Sequence, residues 1–208
     1  FKGCRSRGGG MPETDEALMV RVVSGDAEAF TEIVRRYEAK ARRYCYRIFH
    51  DAQTAEDAAQ DMFLKLYRQA DRYEPTGRFQ TWFYRVLGNL CFDRLRYEKR
   101  RAAVRAGTMD SFSLDEEEDG EGRFPEPGAA LLSGEQRAAV RAALGELSPA
   151  ARQAVMLREF EGLKYREIAD AMEVSMSDVK VLLHRGRKQL AKRLSRWIGE
   201  DGHGVRRP

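Results

Sequence analysis

The sequence predicts an all-α protein, built as two small helical domains joined by a flexible acidic linker. Apolar residues recur at helical spacing on both sides of the middle of the chain, and strand-type alternation is nearly absent. Between these regions, residues 103–134 contain a dense acidic run, then two prolines, and few large apolar side chains. This composition is typical of a linker that has no packed core of its own.

Length and composition agree with two small folded domains. The chain has 208 residues, of which 42% are hydrophobic and 34% are charged. We predict a disordered extension over residues 1–14, a domain over 15–102, the linker over 103–134, a second domain over 135–198 and a tail over 199–208. No apolar run approaches the roughly 20 residues that a membrane helix needs, so we expect no membrane insertion and a cytoplasmic location.

Several classes of chemistry are not indicated. Cys4, Cys45 and Cys91 are far apart in sequence and form no Cys-x-x-Cys pair, which argues against a zinc site or a disulfide framework. The chain has no phosphate-binding glycine loop and no His-x-Glu motif combined with such a cysteine pair. We therefore predict no catalytic residue, no metal and no cofactor.

The N-terminal domain is predicted to contain three main helices. The first runs from Asp26 to about Arg43, and the second begins after Thr54, with Thr54 and Asp57 as a capping box. A turn follows at residues 74–77, and a long helix then extends from about residue 80 to 101. The apolar stripe of the second helix is expected to run from Ala55 to Ala70 and to include Tyr67.

The long helix combines aromatic residues near its start with basic residues near its end. Arg85, Asn89, Arg96 and Arg100 fall roughly on one face, and the Asn89 amide can hydrogen-bond a base edge. Aromatic rings beside a basic face suit single-stranded DNA. For Trp82 and Phe83, however, a place in the core is the favoured interpretation.

A different surface is predicted on the second helix. Glu56, Asp57, Gln60 and Asp61 lie opposite its apolar stripe. Acidic side chains repel DNA, so this surface suits a protein partner better than a nucleic acid. On charge alone, however, a solubilising role is the favoured interpretation of this surface.

The C-terminal domain contains a predicted helix-turn-helix. Its first helix spans residues 165–172, its turn spans 173–175, and its second helix runs from Met176 to about Arg193. Ser175 and Asp178 fit a capping box at the start of the second helix. That helix carries basic residues and no acid between Asp178 and Glu200, as expected of a helix that enters the DNA major groove. The expected inner seam is Ile168, Met172, Val174, Val179 and Leu183.

Three segments resemble the extracytoplasmic-function sigma factors, a group of the sigma-70 family. They are residues 55–67 (AEDAAQDMFLKLY), 79–94 (FQTWFYRVLGNLCFDR) and 147–187, which begin with LSP and end with HRGR. The resemblance covers roughly residues 15–101 and 135–197. It implies that the N-terminal bundle corresponds to sigma domain 2 and the C-terminal helix-turn-helix domain to sigma domain 4.

The resemblance also implies partners and site residues. The partners are core RNA polymerase, through the clamp of its largest subunit, promoter DNA, and an anti-sigma factor. The residues implied for polymerase binding are Glu56, Asp57, Gln60 and Asp61. Those implied for the promoter −10 element are Phe79, Trp82, Arg85, Asn89, Arg94, Arg96, Lys99, Arg100 and Arg101. Those implied for the −35 element are Ser177, Lys180, Val181, His184, Arg185, Arg187 and Lys188.

The sequence departs from the family's pattern in the helix-turn-helix. Glu173 stands where glycine is common, Asp178 replaces a common threonine, and Val181-Leu182 replaces a common Ser-Arg pair. These changes predict an unusual −35 preference. The alternatives are a helix-turn-helix regulator that acts without polymerase, a nucleic-acid enzyme, and a helical adaptor with incidental basic surfaces. The first explains residues 163–197 equally well but leaves the acidic surface and Asn89 without a role.

Overall fold

The computed structural model describes residues 13–75, 78–106 and 134–195, and all regular structure in these ranges is helical. The N-terminal part contains α1 (Asp15–Val23), α2 (Ala27–Phe49), α3 (Ala52–Arg68), a 3₁₀ turn (Ala70–Arg72) and α4 (Phe79–Ala106). The C-terminal part contains α5 (Gly134–Gly145), α6 (Pro149–Val155), a π-helical turn (Met156–Phe160), α7 (Tyr165–Met172) and α8 (Met176–Leu194). The all-α prediction is confirmed. Most of the predicted linker, extension and tail lies outside the described residues.

Helix starts in the N-terminal part differ from the sequence prediction. Asp51, and not Thr54, caps α3, because its carboxylate accepts the Thr54 backbone N–H at 2.7 Å. The predicted capping box of Thr54 and Asp57 is therefore wrong, and both residues lie inside the helix. Thr14 caps α1, a helix that the sequence pattern did not predict, so ordered structure begins within the predicted N-terminal extension.

An aromatic cluster holds α2, α3 and α4 together. The Tyr37 ring lies 4.9 Å from the Phe79 ring and 4.7 Å from the Phe83 ring, measured between centroids. Phe79 and Phe83 are both 0% exposed. The interpretation of Phe83 as a core residue is confirmed, while Trp82 is half-buried against Tyr73 at 5.3 Å. Burying such large rings contributes strongly to the stability of this domain.

Two cysteines that are distant in sequence meet in the same core. The Sγ atoms of Cys45 and Cys91 lie 3.7 Å apart, and both residues are free thiols with 0% exposure. Burial raises the pKa of the Cys91 thiol well above its ordinary value. A buried thiol with a raised pKa is a poor nucleophile, so the two cysteines contribute to core packing rather than to a reaction.

In the C-terminal part, α6 and α8 pack closely at Gly186. A Cβ atom at this position would lie 2.8 Å from Cγ2 of Val155, so the contact requires glycine or a shift of the neighbour. Ile168, Val179 and Leu183 are buried as predicted. Val174 is 36% exposed and is not part of the seam. The Val174 backbone N–H donates to the Ala169 carbonyl oxygen at 3.1 Å and so closes the turn, while the Val174 side chain stays at the surface.

The two helical parts also pack against each other, which the prediction of a flexible tether did not anticipate. Helix α4 lies against α7, and Gly88 of α4 lies against Gln153 of α6. Arg47 of α2 pairs with Glu161, just beyond the π-helical turn, at 2.9 Å. Sequence periodicity identifies each domain's apolar faces but does not indicate which polar faces of two domains meet.

The turn of the helix-turn-helix contains backbone strain. Glu173 has φ 56°, in the left-handed region that favours glycine. We predict that Glu173→Gly raises the free energy of unfolding of the C-terminal domain by about 1 kcal/mol and its Tm by about 4–8 °C. Glu173→Ala is the matched control, because it removes the carboxylate and keeps the Cβ atom. Thermal unfolding followed by circular dichroism measures both, and equal Tm values for the two variants would contradict the strain.

Candidate functional site

The acidic surface lies on α3, opposite the side that packs in the core. Asp57, Gln60 and Asp61 are exposed and follow one another at helical spacing. Asp57 accepts a hydrogen bond from the Gln53 side chain at 2.9 Å within the same helix. Glu56 differs, because its side chain is half-buried and lies 3.5 Å from the Arg42 guanidinium. Of the four predicted residues, Glu56 is therefore at the edge of the surface rather than at its centre.

The same surface borders an open groove between α3 and α4. Asp57, Gln60, Asp61, Leu90 and Arg94 line this groove, which has a volume of about 550 Å³. Arg94, predicted for the −10 element, is thus brought next to the residues predicted for polymerase. Its guanidinium lies 3.4 Å from the Glu98 carboxylate and 5.7 Å from the Phe49 ring centre.

Two apolar residues of α3 are exposed although the sequence did not predict them at the surface. Leu64 is 56% exposed and continues the row of Asp57 and Asp61 at helical spacing. Tyr67 was predicted in the buried stripe but is 48% exposed, with its ring 4.9 Å from the Phe30 ring. The signal for Leu64 was present in the sequence, since an apolar residue on the charged side of a helix has no core to enter.

The predicted −10 residues at the start of α4 are mostly packed. Phe79 is 0% exposed, so in this arrangement its ring presents no free face on which a base can stack. Phe79 is buried because its ring packs against Tyr37 and Phe83 in the aromatic cluster that anchors α4. Trp82 keeps part of its ring at the surface.

Further along α4, the predicted residues are at the surface. Asn89, Arg96, Arg100 and Arg101 are exposed. Arg96 lies 3.6 Å from the Asp93 carboxylate, an exposed pair that imposes little constraint on either side chain. The side chain of Lys99 lies outside the described residues. This end of α4 therefore presents one amide and several guanidinium groups to solvent.

Arg85 belongs to the same helical face but is already engaged. Its guanidinium donates to the Asp170 backbone carbonyl at 2.7 and 3.1 Å and lies 3.5 Å from the Glu173 carboxylate. Both partners belong to the helix-turn-helix. In this arrangement the Arg85 guanidinium is held against the helix-turn-helix, although its side chain remains 37% exposed.

The second helix of the helix-turn-helix presents a clear outer face. Val179, Leu183 and Gly186 point into the domain and are buried. All seven residues predicted for the −35 element are exposed: Ser177, Lys180, Val181, His184, Arg185, Arg187 and Lys188. The predicted capping box is confirmed, because the Ser175 side chain accepts the Asp178 N–H at 3.1 Å and Asp178 accepts the Ser175 N–H at 3.2 Å. This cap fixes the N-terminal end of α8 at the surface.

Arg187 differs from the other basic residues of α8. Its guanidinium donates twice to the Glu159 carboxylate, at 2.6 and 2.9 Å, and these hydrogen bonds raise its pKa. Because Glu159 neutralises it, Arg187 is less suited to a phosphate contact than Lys180, Arg185 or Lys188.

The described ranges contain no arrangement typical of a metal centre. Within residues 13–75, 78–106 and 134–195, no cluster of His, Cys, Asp or Glu is placed to hold a metal ion. In the same ranges, no helix combines the length and apolarity needed to cross a membrane.

Comparisons with known proteins identify both halves of the chain. Residues 33–101 match the family model for sigma-70 region 2, and residues 137–190 match that for sigma-70 region 4. The RNA polymerase sigma-H factor of Pseudomonas aeruginosa is 33% identical over 188 residues, which cover 90% of this chain and 97% of the relative. The ECF RNA polymerase sigma factor SigW of Bacillus subtilis is 32% identical over 177 residues, covering 84% of this chain and 93% of the relative.

Solved structures agree at the level of fold. The sigma factor RpoE in its complex with the anti-sigma factor NepR from Bartonella quintana gives a TM-score of 0.64 at 20% identity, covering 81% of this chain and 98% of that one. CnrH in complex with the cytosolic domain of CnrY gives a TM-score of 0.62 at 20% identity, covering 88% and 99%. The two matched regions, in this order and over nearly whole relatives, show that the chain belongs to the extracytoplasmic-function sigma factors of the sigma-70 family.

Proposed function

We propose that this protein binds core RNA polymerase and directs it to promoters through contacts with the −10 and −35 elements. The observation that carries the proposal is the separation of charge between exposed surfaces. An acidic surface on α3 suits a protein, while basic surfaces on α4 and α8 suit DNA. A DNA-binding regulator needs only the basic surfaces, whereas a sigma factor uses all three. The family is not a class of enzymes, and we place the protein in the cytoplasm.

The polymerase contact is assigned to the α3 surface and the clamp of the largest subunit. Asp57, Gln60 and Asp61 supply exposed polar groups, and Leu64 adds an exposed apolar group to the same row. Polar groups around an apolar residue that loses its water on binding are a common arrangement of protein interfaces. Glu56 contributes at the edge, through its pair with Arg42.

The −10 contact is assigned to the exposed face of α4. Asn89 offers a donor and an acceptor to one base edge, and Arg96, Arg100 and Arg101 offer charge to phosphates. Flipping a base out of the stack costs a few kcal/mol, which binding of that base helps to offset. Phe79 is assigned a positioning role within the core, because it is buried.

The −35 contact is assigned to the outer face of α8. Lys180, His184 and Arg185 lie on the part of the helix that enters the major groove in helix-turn-helix complexes. Val181 is 45% exposed between them, and an apolar side chain in this position suits the methyl group of thymine. Lys188 then faces the phosphate backbone.

An anti-sigma factor is the remaining proposed partner. The two solved structures of similar fold were determined as complexes, one of them with a named anti-sigma factor. We assign such a partner to this chain from that likeness and from its family.

The proposed function predicts promoter-specific initiation in vitro. Core polymerase mixed with this protein and fragmented genomic DNA is expected to produce transcripts that start downstream of one shared pair of sequence elements. Sequencing of the transcript 5′ ends measures this, with core polymerase alone as the control. Sequence-specific DNA binding without any promoter-specific start would instead establish the regulator that acts without polymerase.

The α3 surface predicts a loss of polymerase binding on charge reversal. The double variant Asp57→Lys and Asp61→Lys is expected to weaken binding at least about 30-fold, because like charges then meet at the interface. The matched control is Asp71→Lys with Glu74→Lys, which makes the same charge change at two exposed residues outside α3. Fluorescence titration with core polymerase measures both, and equal affinities for the two double variants would refute the assignment.

The α8 surface predicts a loss of discrimination at the −35 element. Lys180→Ala and Arg185→Ala are each expected to cost about 1–3 kcal/mol on the preferred element if the side chain reads a base. Binding to the preferred and to scrambled elements is measured over a range of salt concentrations. An equal loss on every sequence, with the salt slope reduced by about one, would assign that side chain to a phosphate instead.

A further inference from the structure

We infer that Arg94 belongs to the polymerase-binding surface rather than to the −10 surface, and that the groove between α3 and α4 receives a polymerase segment with both signs of charge. Basic side chains of this segment face Asp57 and Asp61, and an acidic side chain faces Arg94. The inference rests on the proposed function. It adds the α4 wall of the groove, and the chemistry of the partner, to the contact assigned above to α3.

Arg94 lies on a different side of α4 from the residues assigned to DNA. Successive residues of a helix are about 100° apart, so Arg94 lies roughly 140° around the helix axis from Asn89. By the same spacing, Arg96 and Arg100 each lie within about 20° of Asn89. Although the sequence places Arg94 among the −10 residues, the helix therefore directs it away from their shared face.

Contacts within the domain restrict Arg94 to the groove side. Its guanidinium lies 5.7 Å from the centre of the Phe49 ring and 3.4 Å from the Glu98 carboxylate. Its side chain is 31% exposed, compared with 70% for that of Arg96, so it still reaches solvent while its position is restricted. A side chain that is already ordered before binding loses less conformational entropy when it pairs with a partner.

The groove has two walls of opposite charge with an apolar residue between them. Asp57, Gln60 and Asp61 belong to the α3 wall, Leu90 and Arg94 belong to α4, and together they line a volume of about 550 Å³. Leu90 is half-buried and packs against the hydrophobic core, so it leaves an apolar surface within the groove. A groove of this kind between two helices suits one face of an amphipathic helix.

The two signs of charge select the partner. DNA is a poor occupant, because its phosphates would meet Asp57 and Asp61. A segment with only basic side chains would place a like charge against Arg94, which weakens association. A segment that is basic at the α3 wall and acidic at the α4 wall pairs with all three residues in one orientation, so Arg94 sets specificity. Exposed Leu64 continues the α3 wall into the surface assigned to polymerase, so the segment is assigned to polymerase.

The test compares two arginines of α4 that the sequence groups together and the structure separates. Arg94→Glu and Arg96→Glu make the same charge change on different sides of one helix. Fluorescence titration of the full-length protein with core polymerase measures the first effect. We expect Arg94→Glu to weaken polymerase binding at least about tenfold, and Arg96→Glu to change it by less than about twofold.

Transcription from the promoter found by 5′-end sequencing measures the second effect. The defect of Arg94→Glu is expected to shrink as the concentration of core polymerase is raised, because it lies in assembly. The defect of Arg96→Glu is expected to persist at saturating polymerase, because it lies in the DNA contact. Parent-like polymerase binding by Arg94→Glu, or a transcription defect that persists at saturation, would overturn the inference and return Arg94 to the −10 surface.

A charge swap separates individual ion pairs from a general attraction. Asp61→Lys combined with Arg94→Glu restores the net charge of the parent protein. If each residue meets its own partner, the losses of the two single variants add, and the double variant binds polymerase more weakly than either one. Recovery of the parent's affinity would show that only net charge matters, and would also overturn the inference.

Circular dichroism verifies that the variants fold. Arg94→Gln is the second variant, because it places no like charge beside Glu98, and it is expected to weaken polymerase binding about threefold. Parent-like affinity of a folded Arg94→Gln, with Arg94→Glu unfolded, would count against the inference. Promoter-specific transcription by the parent protein tests the proposed function separately, because it does not depend on any variant.

Discussion

The pairing of Glu161 with Arg47 and Tyr84 is the contact on which the arrangement of the two domains depends. It lies between α2, α4 and the π-helical turn, and both charged side chains are almost fully removed from water. Desolvated charges are tolerated only when their partners are in place. Through this contact, the position of the helix-turn-helix is tied to the helix that carries Asn89.

Helix α4 has three sides, and each side faces a different part of the protein or its surroundings. Its inner side, with Phe79 and Phe83, anchors the helix in the aromatic core. A second side, with Tyr84 and Gly88, meets the C-terminal domain. The third side carries Asn89 and the exposed arginines assigned to DNA. Because side chains on one helix are separated by about 100° per residue, neighbouring positions serve unrelated contacts, and Arg85 lies where the second and third sides meet.

The departures of this chain from its family's pattern can be read in structural terms. Glu173 adopts the left-handed conformation that glycine would adopt without strain, and its carboxylate lies near Arg85. Asp178 replaces threonine but completes the cap of α8 with Ser175. Val181 exchanges a polar group for an exposed apolar one, while Leu182 turns partly into the domain. The turn geometry is thus retained while the surface chemistry of the recognition helix changes.

The sequence by itself determined the helical fold class, the two regions of the chain, the helix-turn-helix with its cap, and the exposed row Asp57, Gln60 and Asp61. These depend on periodicity and on caps, which act over a few residues. Only the tertiary structure decided that Phe79 is buried, that Cys45 meets Cys91, and that Glu159 engages Arg187. The same holds for the contact of Glu161 with Arg47. These depend on which faces of distant segments meet, and the periodicity of any single segment carries no information about its partner.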